Sequence, residues 1–177
     1  MSNRIKTIDL KDYIRDIPDF PKKGIIFKDI TTLLRNPEAF KYSIESLSNK
    51  FAKENIDYIV AVESRGFIFG GALAYQLGAG FIPIRKRGKL PHKTDSVTYD
   101  LEYGTDTLEM HADAIEPGSR VLIVDDLLAT GGTVKAVCDL VQKRKAKIVG
   151  VAFLIELEFL KGKTRLKDVP VHSLIQF

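Results

Sequence analysis

Two adjacent acids, Asp125 and Asp126, follow the apolar run Val121-Leu-Ile-Val124, and Ala129-Thr-Gly-Gly-Thr133 comes just after them. As carboxylates the pair offers only acceptors, which match the donor hydroxyls of a ribose. A hydrogen bond to a charged acceptor contributes about 1.5–3 kcal/mol. Two negative charges also suit a sugar ring that becomes cationic in its transition state. Gly131 and Gly132 let backbone N–H groups approach a ligand, a following helix adds partial positive charge, and Thr130 and Thr133 add hydroxyl donors. Together these residues can hold a sugar phosphate, with the acids on the ring and the amides on its phosphate. The plainer readings are an acid pair that caps the next helix or binds a metal directly, and a glycine turn with Thr133 as N-cap. A P-loop hydrolase would need Gly-x-x-x-x-Gly-Lys-Ser/Thr and a dinucleotide site Gly-x-Gly-x-x-Gly, and the chain contains neither.

A second anion site is expected at Glu63-Ser-Arg-Gly66, where the backbone and Arg65 face a ligand and Gly66 allows close approach. From this motif alone, Arg65 pairing with a surface acid is an equal reading. With Lys86, Arg87 and Lys89 the motif predicts a diphosphate site, its charge neutralised by Mg²⁺ held mainly by substrate oxygens and water, with no direct protein ligand. Glu102 alternates onto a polar hairpin face with Thr98 and Asp100. It is either a solvated residue or a general acid or base above the crevice. His92, His111 and His172 have no ligand spacing, so no metal site or Ser-His-Asp set is expected.

These residues need a frame. The 177 residues suit one domain with a real core, and 45% hydrophobic and 28% charged residues are ordinary for a globular protein. The net charge of +4 is modest. Its concentration in Arg85–Lys93 suits a polyanion or a solvated loop. One cysteine, Cys138, excludes an internal disulfide and reads as packing beside Val134, Val137 and Val141. No signal peptide or membrane-spanning run is visible, so the cytoplasm is the expected location.

Patterning predicts a helix over Asp9–Arg15, a connecting segment over Gly24–Leu34, and a helix from Pro37 to about Lys53 with Asn36 as N-cap. Strands are expected at Tyr58–Val62, Phe81–Ile84, Val121–Val124, Ile148–Leu154 and Val171–Ile175, and helices at Phe67–Leu77, stopped by Gly78, and Gly132–Arg144. Period-two alternation on both sides of Gly104-Thr-Asp106 predicts a hairpin, with Lys86–Ser96 as a mobile polar lid before it. The fold class is α/β: a mostly parallel twisted sheet flanked by helices, whose strand-to-helix turns converge on one crevice. The chain reads as a single domain, residues 1–177, with an N-terminal hood over 1–35 and a flexible lid and hairpin over 86–112.

The acid pair with Ala129–Thr133 resembles the phosphoribosyl pyrophosphate signature of the type I phosphoribosyltransferases. Phe20–Ile30, Glu63–Phe67, Arg85–Pro91 and Tyr99–Gly104 are similar to the adenine-specific branch, in order and over nearly the whole chain. The resemblance implies a glycosyl transfer in which adenine and phosphoribosyl pyrophosphate give AMP and pyrophosphate, with Mg²⁺. It implies that Asp125 and Asp126 hold the ribose and that Ala129, Thr130, Gly131, Gly132 and Thr133 hold the 5′-phosphate. Glu63, Ser64, Arg65, Lys86, Arg87 and Lys89 would lie around the pyrophosphate, with Arg65 and Lys89 directly engaged. Phe27 would stack on adenine, Ile26 and Lys28 would read its edge through backbone groups, and Leu127 would line the opposite wall. Glu102 would be the catalytic acid or base, with Tyr103 beside it on the lid. A homodimer is implied, with no nucleic-acid partner. Two alternatives stay open: a transferase for another purine base, and a regulator that keeps the pocket without chemistry.

Overall fold

A computed structural model describes residues 8–100 and 104–177. The chain forms two compact units, Met1–Ser46 and Leu47–Phe177.

In the first unit the expected helix over Asp9–Arg15 is shorter. A 3-10 turn, Leu10–Tyr13, is started by Asp9, whose carboxylate accepts from Lys11 N–H. Arg15 instead opens strand β1, Arg15–Pro18, which pairs antiparallel with β2, Ile26–Asp29. The expected plain connection over Gly24–Leu34 thus contains a strand and a short helix, α1, Thr31–Leu34. Both are too short to show periodicity, and polar contacts hold them. Arg15 Nε is 3.0 Å from Asp29 Oδ2, Lys28 Nζ is 2.7 Å from Asp16 Oδ1, and Asp29 Oδ1 accepts from Thr31 N–H at 2.9 Å. Helix α2, Pro37–Phe51, begins as expected, with Asn36 Oδ1 accepting from Ala39 N–H at 2.9 Å.

The second unit is built on a seven-stranded sheet. Its strands are β3 (Tyr58–Val62), β4 (Gly80–Lys86), β5 (Thr94–Asp100), β6 (Thr105–His111), β7 (Arg120–Leu128), β8 (Lys147–Glu156) and β9 (Val171–Gln176). The order is β5-β6-β4-β3-β7-β8-β9. Neighbours from β4 through β9 are parallel, and β6 joins antiparallel to β4 and β5. Helix α3, Arg65–Leu77, follows β3, and α4, Gly132–Lys143, follows β7. Gly78, left-handed at φ +66°, ends α3.

The central strands are apolar on both faces because helices cover both. On one face Val60, Ile82, Ile123 and Phe153 form a core with Val134, Val137 and Leu140 of α4. On the other, Gly70 lets α3 approach: a methyl there would lie 2.5 Å from Ala61 Cβ. Cys138 is buried in this α4 core, as its valine neighbours indicate. The alternation expected in β6 is broken at Glu109, which is only 8% exposed. Its carboxylate is satisfied by Gly88 N–H at 2.9 Å, which explains a buried acid there. The stretch expected as lid, Lys86–Ser96, is partly strand, since β4 runs to Lys86 and β5 starts at Thr94. No helix among the described residues is long and apolar enough to cross a membrane.

Candidate active site

Parallel strands β4, β3 and β7 lie side by side, so the turns after them open at the same edge of the sheet. The acid pair was expected where β7 ends at Val124. Instead β7 runs on to Leu128, because the long β8 supplies partners: Asp125 stands opposite Phe153 and Leu127 opposite Ile155. Asp125 and Asp126 are therefore strand residues, held by a ladder on one side. Asp126 is buried, and its N–H donates to Asp125 Oδ1 at 2.9 Å. Arg65, the first residue of α3, sets its Nε 2.8 Å from Asp126 Oδ2. Arg65 thus pairs with an acid of the cleft.

Burial pushes both carboxyls above their ordinary range. At Asp125 the neighbouring Asp126 charge pushes the same way, while at Asp126 the Arg65 charge opposes the rise. Each ionised acid favours a ligand that brings donors or developing positive charge. Gly66 makes the approach of α3 possible, since a methyl there would stand 2.8 Å from Asp125 Oδ1.

An open cleft is lined by Glu63, Ser64, Arg65, Lys86, Asp125, Asp126, Leu127 and Thr133, with Tyr99 and Asp106. A second, smaller cleft is lined by Asp125, Leu127 and the loop Ala129–Thr133. Asp125, Leu127 and Thr133 border both, so the two clefts are contiguous. Gly131, at φ +82°, precedes α4, and no side chain caps the helix start. The first N–H groups of that helix lack intrahelical partners, which makes the loop a ready anion cradle. Thr133 is not the N-cap; its hydroxyl donates to Tyr99 Oη at 3.3 Å.

The second turn is braced by polar contacts. Glu63 Oε1 accepts from Lys86 N–H at 2.6 Å, and Oε2 lies 3.1 Å from Arg85 Nη2. Burial works against ionisation of Glu63, but the Lys86 N–H and the Arg85 charge outweigh it and hold the carboxyl below its usual range. Glu63 thus ties the end of β3 to the end of β4. Lys86 Nζ is 3.1 Å from Asp106 Oδ2, a bond that raises the lysine's pKa. Arg87 and Lys89 sit in the turn after β4 and line neither cleft; Lys89 N–H donates to Lys86 O at 3.2 Å.

The structure therefore brings Asp125, Asp126, Leu127, Ala129, Thr130, Gly131, Gly132, Thr133, Glu63, Ser64, Arg65 and Lys86 together. Ile26, Phe27 and Lys28 lie on β2 of the first unit, where Phe27 meets Phe20 edge to face at 5.2 Å between ring centres. Glu102 and Tyr103 lie outside the described residues. Tyr99 and Asp106 were not anticipated. Tyr99 falls in the strand before the hairpin turn, where no pattern singles out its hydroxyl, and Asp106 reads as a turn residue. Among the described residues, no group of three or more His, Cys, Asp or Glu side chains is placed to hold a metal ion.

A family model described as the phosphoribosyl transferase domain matches residues 29–173. The adenine phosphoribosyltransferase of Nostoc punctiforme is 61% identical over 172 residues, covering 96% of this chain and all of the relative. That of Brachyspira hyodysenteriae is 59% identical over 170 residues, with 96% and 100% coverage. Among solved structures, the adenine phosphoribosyltransferase of Thermoanaerobacter pseudethanolicus superposes with a TM-score of 0.92 at 54% identity, covering 95% of this chain and 98% of that one. The Saccharomyces cerevisiae enzyme, complexed with an imino-altritol bisphosphate and adenine, gives 0.88 at 45% identity, with 93% and 96% covered.

Proposed function

This chain belongs to the phosphoribosyl transferase family, and we propose from that premise how its residues move a phosphoribosyl group onto adenine. The enzyme is a pentosyltransferase of purine salvage: adenine and phosphoribosyl pyrophosphate give AMP and pyrophosphate. The observation that carries the mechanism is the contiguity of an acid pair and an uncapped helix start, spanned by Asp125–Thr133.

The loop Ala129–Thr133 holds the 5′-phosphate with backbone N–H groups and threonine hydroxyls. Asp125 and Asp126 accept from the ribose hydroxyls, and their charge favours the oxocarbenium-like ring. Arg65 and Lys86 receive the departing pyrophosphate beside the turn that Glu63 and Ser64 shape, and Arg87 and Lys89 act from the separate basic turn after β4. Phe27 stacks on adenine, and Ile26 and Lys28 read its edge through backbone groups. The Lys28 ammonium already meets Asp16, which suits reading by backbone rather than by side chain. Adenine N9 forms its bond to the anomeric carbon as the bond to pyrophosphate breaks on the opposite face. Glu102 takes the base's proton, with Tyr103 beside it. Carboxylates next to cations in an open cleft fit a hydrated Mg²⁺. Bound with substrate, that ion would neutralise the pyrophosphate charge. Positioning and charge complementarity supply most of the acceleration, and proton transfer a smaller share.

A homodimer in the cytoplasm, with the basic turn serving the neighbouring subunit, belongs to the same proposal. Backbone groups that pair with adenine's amino edge meet an acceptor where a donor is wanted in a 6-oxo purine. Competition among adenine, hypoxanthine and guanine for limiting phosphoribosyl pyrophosphate tests this reading. AMP should dominate, and equal consumption of the three bases would overturn the assignment of the base pocket.

A further inference from the structure

The phosphate loop has a back wall that lies outside the strand-to-helix turns. After β8 the chain makes two 3-10 turns, Glu158–Leu160 and Gly162–Arg165. Leu157 N–H donates to Leu128 O at 2.9 Å, which lays the start of this connection beside the residue that precedes the loop. Gly162 then comes very close: a methyl on it would stand 2.3 Å from the Ala129 carbonyl oxygen. A methyl on Gly131 would stand 2.5 Å from the Gly162 carbonyl oxygen. Two glycines are thus apposed with no room for a side chain on either.

The residue after Gly162 reaches back to the sheet. Lys163 Nζ is 2.6 Å from Glu156 Oε2, and the Glu156 side chain is 5% exposed against 41% for Lys163. Glu156 stands opposite Leu128 in the β7/β8 register. A buried carboxylate is costly unless paired, and this one sits at the foot of the phosphate loop.

We propose that the Glu156–Lys163 pair is a positioning element that pins Gly162 against Ala129 and Gly131 and so presets the phosphate loop. A cradle fixed in advance loses less freedom when the phosphate arrives. The inference rests on the reading of Ala129–Thr133 as the 5′-phosphate site.

The test compares Lys163→Met, Glu156→Gln and Lys163→Arg with the unaltered protein, using ribose 5-phosphate binding by calorimetry and steady-state AMP formation. Lys163→Met should raise the Kd for ribose 5-phosphate and the KM for phosphoribosyl pyrophosphate roughly tenfold, because the loop must then be ordered at the expense of binding. The KM for adenine should stay unchanged, and Lys163→Arg should restore both constants. If Lys163→Met leaves both constants at their original values, or raises the two KM values alike, the proposal is overturned. Should Glu156→Gln fail to fold, Lys163→Met still decides, because it alters the more exposed end of the pair. Failure of the unaltered protein to make AMP would count against the activity, and the ribose 5-phosphate comparison would still report on the pin.

Discussion

Gly66 at the start of α3 stands so near Asp125 that a methyl there would lie 2.8 Å from Oδ1 and 3.3 Å from both Asp125 Cα and Val124 O. Two of these three neighbours are backbone and cannot swing aside. Gly66→Ala is therefore expected to destabilise by about 1–3 kcal/mol through overpacking, which exceeds the roughly 1 kcal/mol of helix propensity gained. Turnover should fall with it as Asp125 is displaced. Gly71→Ala, on the same helix with open space around it, should instead stabilise by up to about 1 kcal/mol. Thermal melts and kcat/KM of the two variants check the contrast.

Asp125→Asn should cut turnover by orders of magnitude yet leave the protein at least as stable near neutral pH. Burial raises the folded pKa of Asp125 above its ordinary 3.8. The folded state thus binds more protons than the unfolded state in that window, and stability falls as pH rises through the folded pKa. Asparagine removes this penalty, so the variant's advantage in Tm should be seen at neutral pH and shrink toward about pH 4. A lower Tm than the parent at neutral pH would contradict it.

Asp29 carries the opposite sign. The Thr31 N–H and the Arg15 guanidinium lower its pKa from 3.8 to about 2. Its stabilising contribution is present above pH 3.8 and is lost as pH falls toward 2. Asp29→Ala should cost about 1.5–3 kcal/mol at neutral pH, the range for hydrogen bonds to a charged group. Its unfolding curve should converge with the parent's in strong acid, as followed by circular dichroism.

Chelation should stop AMP formation and leave the substrate-free protein's Tm where it was, the outcome expected of an Mg²⁺ held by substrate oxygens and water rather than by the protein. Added Mg²⁺ should restore the rate. A drop in Tm on adding EDTA would point to a resident structural ion instead.

Glu102→Gln should lower kcat by about 10²–10⁴, the span of general acid–base catalysis, with little change in either KM. An unaltered kcat would return Glu102 to the solvated residues of the hairpin.

Much of the second unit was legible in the chain. Apolar runs such as Tyr58–Val62 are strands because helices cover both faces, and Gly78 stops α3 because it takes the left-handed conformation that helix ends require. The Asp125–Thr133 junction was readable because acids, glycines and hydroxyls sit in one continuous stretch. Strand β2 was not, because four residues held by the Arg15–Asp29 and Lys28–Asp16 pairs leave no periodic trace. Nor was the reach of β7 to Leu128, since polar residues inside a strand depend on a partner that local patterning does not name. Gly162 is a similar case. Its value lies wholly in a contact with residues some thirty positions earlier.

Cys138 is the chain's one sulfhydryl, and burial raises its pKa to about 11. At neutral pH it is almost entirely thiol and shielded inside the α4 core, so alkylating reagents and mild oxidants should find no target while the fold is closed. Catalysis would then be insensitive to the redox state of its surroundings. The same buried sulfur also makes a built-in clock: the rate at which iodoacetamide labels it reports how often this core opens.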